Sequence, residues 1–60
     1  MYGDLKMSRL EFFKSRYSPS KILDVYECRE FTEIVFREGG DVLTFRIYGN
    51  ERDGFKIYER

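Results

Sequence analysis

Acidic side chains are the first candidates for chemistry in this sequence. Four glutamates lie near one another along the chain, at Glu27, Glu30, Glu33 and Glu38. Carboxylates can serve as general acid and base, but this role falls most often to histidine, and the chain has none. Ordinary solvated charges account for the glutamates, and a chain of 60 residues has little material to enclose a pocket of ~300 Å³ or more. The sequence therefore predicts no enzymatic activity, no catalytic residue and no small-molecule substrate.

The single cysteine and a run of oxygen donors are the candidates for a redox or metal site. Cys28 has only Arg29 as a nearby cation, which is a weak basis for a reactive thiolate. A zinc site needs about four ligands, which one cysteine and no histidine do not supply. The stretch from Asn50 to Gly54 lacks the spacing and terminal glutamate of a calcium loop and has the composition of a turn. We expect no metal, no cofactor and a passive thiol at Cys28.

Aromatic and basic residues interleave from position 26 onward. Sheets that bind single-stranded nucleic acid combine these side chains, because rings stack on bases while cations approach phosphates. The aromatic candidates are Tyr26, Phe31, Tyr48 and Tyr58, and the basic candidates are Arg37, Arg46 and Lys56. Eleven Lys and Arg balance eleven Asp and Glu, and no RNA-recognition or KH motif is present. Nucleic-acid binding is therefore disfavoured and kept as an alternative.

These side chains have to be positioned by a helix and a set of strands, which Pro19 separates. Between Asp4 and Tyr17, apolar residues recur at the spacing of an amphipathic helix. They are Leu5, Met7, Leu10, Phe13 and Tyr17. Two N-termini compete, since Asp4 could cap a longer helix, whereas Ser8 and Glu11 form the capping-box pattern of a shorter one.

Two turns set the register of the strands. Gly39-Gly40 has the composition of a two-residue hairpin turn, and it places Phe36 opposite Leu43. It also places Ile34 opposite Phe45 and Thr32 opposite Ile47. A second turn at Arg29-Glu30 pairs Val25 with Ile34 and Leu23 with Phe36, which puts all of these side chains on one face. After the polar stretch 49–54, we expect Phe55 opposite Ile47 and Ile57 opposite Phe45.

These registers predict an α+β fold in one domain, residues 1–60. An N-terminal amphipathic helix packs on one face of a four-stranded antiparallel β-meander, with strands near 21–28, 31–38, 41–48 and 55–59, because a sheet must bury its apolar face against another layer. The predicted inner face consists of Leu23, Val25, Ile34, Phe36, Leu43, Phe45, Ile47, Phe55 and Ile57.

The opposite face of the predicted sheet is unusually apolar for a surface in contact with water. Alternation places on it Ile22, Asp24, Tyr26, Cys28, Phe31, Glu33, Val35, Arg37, Val42, Thr44, Arg46, Tyr48, Lys56 and Tyr58, of which eight are apolar or aromatic. High strand propensity explains part of this composition, but a contiguous apolar surface on a small domain usually marks an interface. The interface candidates are Tyr26, Phe31, Val35, Tyr48 and Tyr58.

A chain this short forms a thin core, and association with a second copy would add buried surface. The sequence therefore predicts a non-enzymatic protein-interaction or structural module that forms a homodimer through the outer face. A single-stranded nucleic-acid binder and a small subunit of a larger hetero-complex remain alternatives. The longest apolar run is Ile34-Val35-Phe36, too short to cross a membrane, so we expect a cytoplasmic protein without a membrane partner.

Overall fold

The computed structural model describes residues 7–60 of the chain. It contains one α-helix, a short 3-10 turn at Pro19–Lys21 and one four-stranded sheet. The elements are α1 (Arg9–Arg16), β1 (Ile22–Glu27), β2 (Phe31–Glu38), β3 (Asp41–Asn50) and β4 (Gly54–Glu59). All neighbouring strands are antiparallel and follow the order β1-β2-β3-β4. The predicted α+β fold, a helix and a four-stranded meander, is confirmed.

The helix α1 begins at the later of the two predicted starts. Ser8 has an extended backbone, and its Oγ accepts a hydrogen bond of 3.1 Å from the N–H of Glu11, which satisfies one of the free donors at the helix N-terminus. The helix ends at Arg16, and the N–H of Tyr17 donates to the carbonyl of Phe13. The alternative start at Asp4, and Leu5 of the predicted apolar stripe, lie outside the described residues.

The central hairpin has the predicted register. Phe36 faces Leu43, Ile34 faces Phe45 and Thr32 faces Ile47. Gly39 has a φ of +63°, a conformation that a residue without Cβ adopts readily. The tight turn therefore fixes which side chains of β2 and β3 lie on each face of the sheet. The predicted turn at Arg29-Glu30 is also present, since the N–H of Cys28 donates to the carbonyl of Phe31.

The predicted register of the last hairpin is wrong by two residues. Phe55 lies opposite Gly49, and Ile57 lies opposite Ile47. The strand β3 continues to Asn50, whose side-chain oxygen accepts a 2.6 Å hydrogen bond from the N–H of Asp53 and closes a shorter turn than we expected. Because the shift is an even number of residues, Phe55 and Ile57 still pack against the core.

The prediction that Leu23 faces the core is also wrong. The pairing of β1 with β2 is irregular between Ile22 and Asp24, so that Ile22 rather than Leu23 lies opposite Phe36. A bulge of this kind adds one residue to a strand and resets the alternation of side chains. Ile22, which we placed on the outer face, packs against the core, whereas Leu23 is 49% exposed.

The hydrophobic core lies between α1 and the inner face of the sheet. Its buried members are Phe13, Ile34, Phe36, Phe45 and Ile47. Phe13 is the helix residue among them, and its ring lies 5.5 Å from the rings of Phe36 and Phe45. The helix therefore shields this side of the sheet from water. Leu10, Phe13 and Tyr17 of the predicted stripe pack in the core, whereas Met7 precedes the helix and is 41% exposed.

The side chain of Arg9 links the start of the helix to the end of β3 and to the turn between β1 and β2. Its guanidinium donates hydrogen bonds to the carbonyls of Gly49 at 2.9 Å, Cys28 at 3.1 Å and Arg29 at 3.0 Å. A planar guanidinium offers several donors in a fixed arrangement, which suits three separate carbonyl oxygens.

Within residues 7–60 there is no helix long and apolar enough to cross a membrane.

Candidate functional site: the outer face of the sheet

The side of the sheet opposite α1, hereafter the outer face, is organised in rows that cross the strands. Cross-strand pairing defines each row, because paired residues of neighbouring strands lie side by side on the same face. The first row contains Asp24, Val35, Thr44 and Arg60. The middle row contains Tyr26, Glu33, Arg46 and Tyr58. The third row contains Phe31, Tyr48 and Lys56.

Three aromatic rings of the outer face form a connected cluster. The ring of Tyr48 lies 5.5 Å from that of Phe31 and 5.6 Å from that of Tyr58, and it meets Tyr58 nearly edge to face. The Arg46 guanidinium lies 4.4 Å from the centre of the Phe31 ring, within the range of a cation–π contact. These contacts hold the three rings in one arrangement on the outer face.

The charged groups of the outer face meet at Glu33. Its Oε1 accepts a hydrogen bond of 3.0 Å from Nε of Arg46 and one of 3.4 Å from Nη1 of Arg60. The nearby Tyr48 hydroxyl and the Glu33 carboxylate raise the pKa of Arg46 above its ordinary value. Partly exposed ion pairs contribute little to stability, so the effect of this cluster is chiefly to orient the two arginines.

Two tyrosines of the middle row project furthest into solvent. Tyr26 is 64% exposed and Tyr58 is 55% exposed. They lie on the two edge strands, at opposite ends of the row. The Cys28 side chain, by hydrogen bonding and then by charge, raises the pKa of the Tyr26 phenol. Each ring offers a large apolar surface with one polar atom.

The five predicted interface residues all lie on the outer face, but the structure does not place them in one contact cluster. Tyr48 contacts both Phe31 and Tyr58. Tyr26 is separated from them in its row by Glu33, and Val35 is half-buried in the first row.

The predicted basic residues are only partly brought together. Arg46 and Lys56 line an open depression of about 550 Å³, whose other lining residues are Tyr48, Tyr58 and Arg60. Arg37 lies opposite Val42, two rows from Arg46 and therefore ~14 Å along the sheet. Sequence reasoning missed Arg60, because the predicted strand ended one residue earlier. Alternation after Lys56 and Tyr58 was the signal that could have placed it on this face.

A second depression lies at the N-terminal end of α1. It measures about 250 Å³ and is lined in part by Arg9, Cys28, Thr32 and Phe55. The Arg9 guanidinium is committed there to three backbone carbonyls. Among residues 7–60, no three His, Cys, Asp or Glu side chains are grouped so as to hold a metal ion. The outer face is therefore the better candidate for a binding surface.

No protein-family model, no curated protein and no solved structure matches this chain. Function is accordingly inferred from the geometry of the outer face.

Proposed function

We propose that this protein is a small, non-enzymatic interaction module that forms a homodimer through the outer face of its sheet. The proposal is based on the observation that α1 covers only one of the two faces of the sheet. The helix buries the inner face, while Tyr26, Tyr58 and Val42 on the other side are each more than half exposed. Large apolar side chains left exposed on an uncovered sheet face favour an interaction site.

The size of the outer face sets the expected strength of association. Four strands ~4.8 Å apart, with about seven residues each, give a face of roughly 19 by 24 Å. The flat area of such a face, about 460 Å², lies below the roughly 600–1,000 Å² that each partner buries in a standard interface. A buried tyrosine contributes about 150–250 Å², and Tyr and Arg are the residues that most often dominate binding energy. We therefore expect a homodimer with an affinity in the micromolar range.

Sedimentation equilibrium over about 5–500 μM tests this proposal, because that range spans the affinity expected from the area. The wild-type chain, with a monomer mass of 7.3 kDa, is expected to reach twice that mass. Tyr58→Lys removes an exposed ring from the outer face and is expected to weaken the dimer at least about tenfold. Met7→Lys is the matched control, since Met7 is exposed beside the helix and its replacement adds the same charge. A wild-type monomer throughout the range would refute the proposal.

Single-stranded nucleic-acid binding is the second candidate, and the depression between Tyr48 and Tyr58 is the observation that favours it. Arg46, Lys56 and Arg60 surround these rings, as cations flank stacking residues in single-strand binding sheets. The proposal ranks second because Glu33 already pairs with two of the three cations.

A fluorescent oligonucleotide tests this second candidate by anisotropy at low salt, where phosphate contacts are strongest. Lys56→Glu is expected to abolish binding, and Lys14→Glu, an equal charge change on the exposed side of α1, is expected to preserve it. Absence of binding by the wild-type chain at tens of micromolar, a range that covers ordinary nonspecific affinity, would exclude this function. The cytoplasmic location expected from the sequence stays a prediction.

A further inference from the structure

We infer that two copies of this chain stack their outer faces about a two-fold axis that runs parallel to the strands, between β2 and β3. The inference rests on the proposed homodimer and specifies its symmetry and its pairing residues. Such an axis places β1 over β4 of the second copy and β2 over its β3. Because a two-fold interface joins the same surface of both subunits, each row of the outer face must be complementary to its own reverse.

The middle row satisfies this condition. In strand order it contains Tyr26, Glu33, Arg46 and Tyr58, and the reverse order is tyrosine, arginine, glutamate, tyrosine. Stacking therefore places Tyr26 over Tyr58 of the second copy, and two exposed rings bury each other. It also places Glu33 over Arg46 of the second copy. Opposite charges then alternate around the axis instead of repelling.

The other rows follow the same rule. In the first row, Asp24 at one end meets Arg60 of the second copy at the other end. In the third row, Phe31 meets Tyr48 of the second copy. Facing sheets in aligned packing keep their strand directions within about 30° of each other, so the rows remain close to register near the axis.

The alternative two-fold axis, perpendicular to the strands in the plane of the interface, is unfavourable. This axis stacks each strand on the same strand of the second copy. Lys56 in β4 and Arg60 just after it then face the same two cations of the second copy. With the axis on the middle row, Glu33 also faces Glu33 and Arg46 faces Arg46. Like charges in contact across an interface oppose association, whereas complementary charges select orientation and partner. The order of charges across the sheet thus favours the strand-parallel axis.

The Glu33–Arg46 ion pair is already formed within each copy at the centre of this interface. Its two side chains are already in contact at 3.0 Å before association. Stacking brings a second, inverted pair against the first and forms a four-charge network across the axis. Since charges removed from water are costly unless they are paired, an interface built from paired charges is tolerated where isolated ones are not.

Reversal of charge at the ends of the first row tests the inference. Asp24 is exposed, and the side chain of Arg60 is 55% exposed, so neither substitution disturbs the core. Asp24→Lys and Arg60→Glu alone each convert two attractive contacts per dimer into repulsive ones. Each is expected to weaken the dimer about tenfold at low salt. The combined variant is expected to regain most of this loss but not all of it, because Arg60→Glu also replaces the cation beside Glu33 of the same copy with a carboxylate. Lys14→Glu on α1 serves as the control for the change in net charge.

Sedimentation equilibrium at low salt measures the dissociation constants of the wild-type chain and the four variants, and circular dichroism checks that each variant is folded. Loss in both single variants with recovery in the combined variant supports the strand-parallel axis. A dimeric wild-type chain whose single variants associate unchanged overturns this inference and leaves the proposed homodimer intact. A wild-type chain that is monomeric overturns both.

Discussion

Replacement of Gly49 by alanine is expected to be one of the most destabilising single changes in the sheet. Gly49 lies near the end of β3 with a φ of +92°, a backbone conformation that costs an L-residue roughly 1–2 kcal/mol. An added Cβ would also collide with the backbone carbonyl oxygen of Gly54 on the neighbouring strand. Relief of this collision requires movement of β4, because a backbone oxygen has no rotamer to change.

The total effect of Gly49→Ala is expected to reach about 3 kcal/mol, the strain and the displaced strand pairing together. A domain of this size has only about 3–9 kcal/mol of stability in all. The melting temperature should therefore fall by about 15–25 °C, measured by circular dichroism at one fixed protein concentration.

Gly40→Ala is the matched control, since a Cβ there meets nothing within 4 Å and its φ is not positive. It is expected to be neutral or stabilising by up to about 1 kcal/mol. Equal melting temperatures for the two variants would refute the placement of Gly49 against Gly54.

Three further predictions concern the core, the helix anchor and a titrating phenol. Phe13→Ala should lower the free energy of unfolding by about 3–5 kcal/mol, and urea titration should show that much of the chain is unfolded. Phe13→Leu keeps most of the side-chain volume and should fold. A folded alanine variant of wild-type stability would contradict the core assignment. Arg9→Lys keeps the charge, but a lysine cannot donate to all three carbonyls, so the free energy of unfolding should fall by about 1–3 kcal/mol. Arg52→Lys, at an exposed position, is the control and should leave stability unchanged. The raised pKa of Tyr26 means that folding favours its neutral form, so its contribution to stability is present below about pH 10 and is lost as pH rises through the folded-state pKa. Ultraviolet titration should show one tyrosine that ionises late and disappears in Tyr26→Phe, and an unchanged titration curve in that variant would contradict the assignment.

The sequence predicted those parts of the fold that depend on local turn chemistry and alternation. Gly39-Gly40 determined the β2–β3 register because a two-residue turn leaves no freedom in pairing, and Ser8 marked the helix start because its hydroxyl satisfies a backbone donor. Leu23 was misplaced because a bulge is a response of the whole strand to its neighbours and has no signature in the residue itself. The predicted register of the last hairpin was wrong because Asn50 closes the turn with a side-chain hydrogen bond. Composition alone does not show where such a turn closes.

The composition of the outer face was predictable, but its internal contacts were only partly so. The pairs Phe31–Tyr48 and Glu33–Arg46 follow from the central register and are present. The approach of Tyr58 to Tyr48 depends on the β4 register, which was misjudged. The anchoring role of Arg9 could not be read from the sequence, because its carbonyl partners lie in β3 and in the β1–β2 turn, which meet the helix only in the folded chain.

An isotope-filtered NOE experiment on a mixture of labelled and unlabelled chains detects contacts between the outer faces of two copies. We expect cross-peaks between copies among ring protons of the outer face, with Tyr26 contacting Tyr58, and none from Phe13, which is buried beneath the helix. Intermolecular cross-peaks confined to other surfaces, or their absence at millimolar concentration, would contradict the claim that the outer face is where two copies of this protein meet.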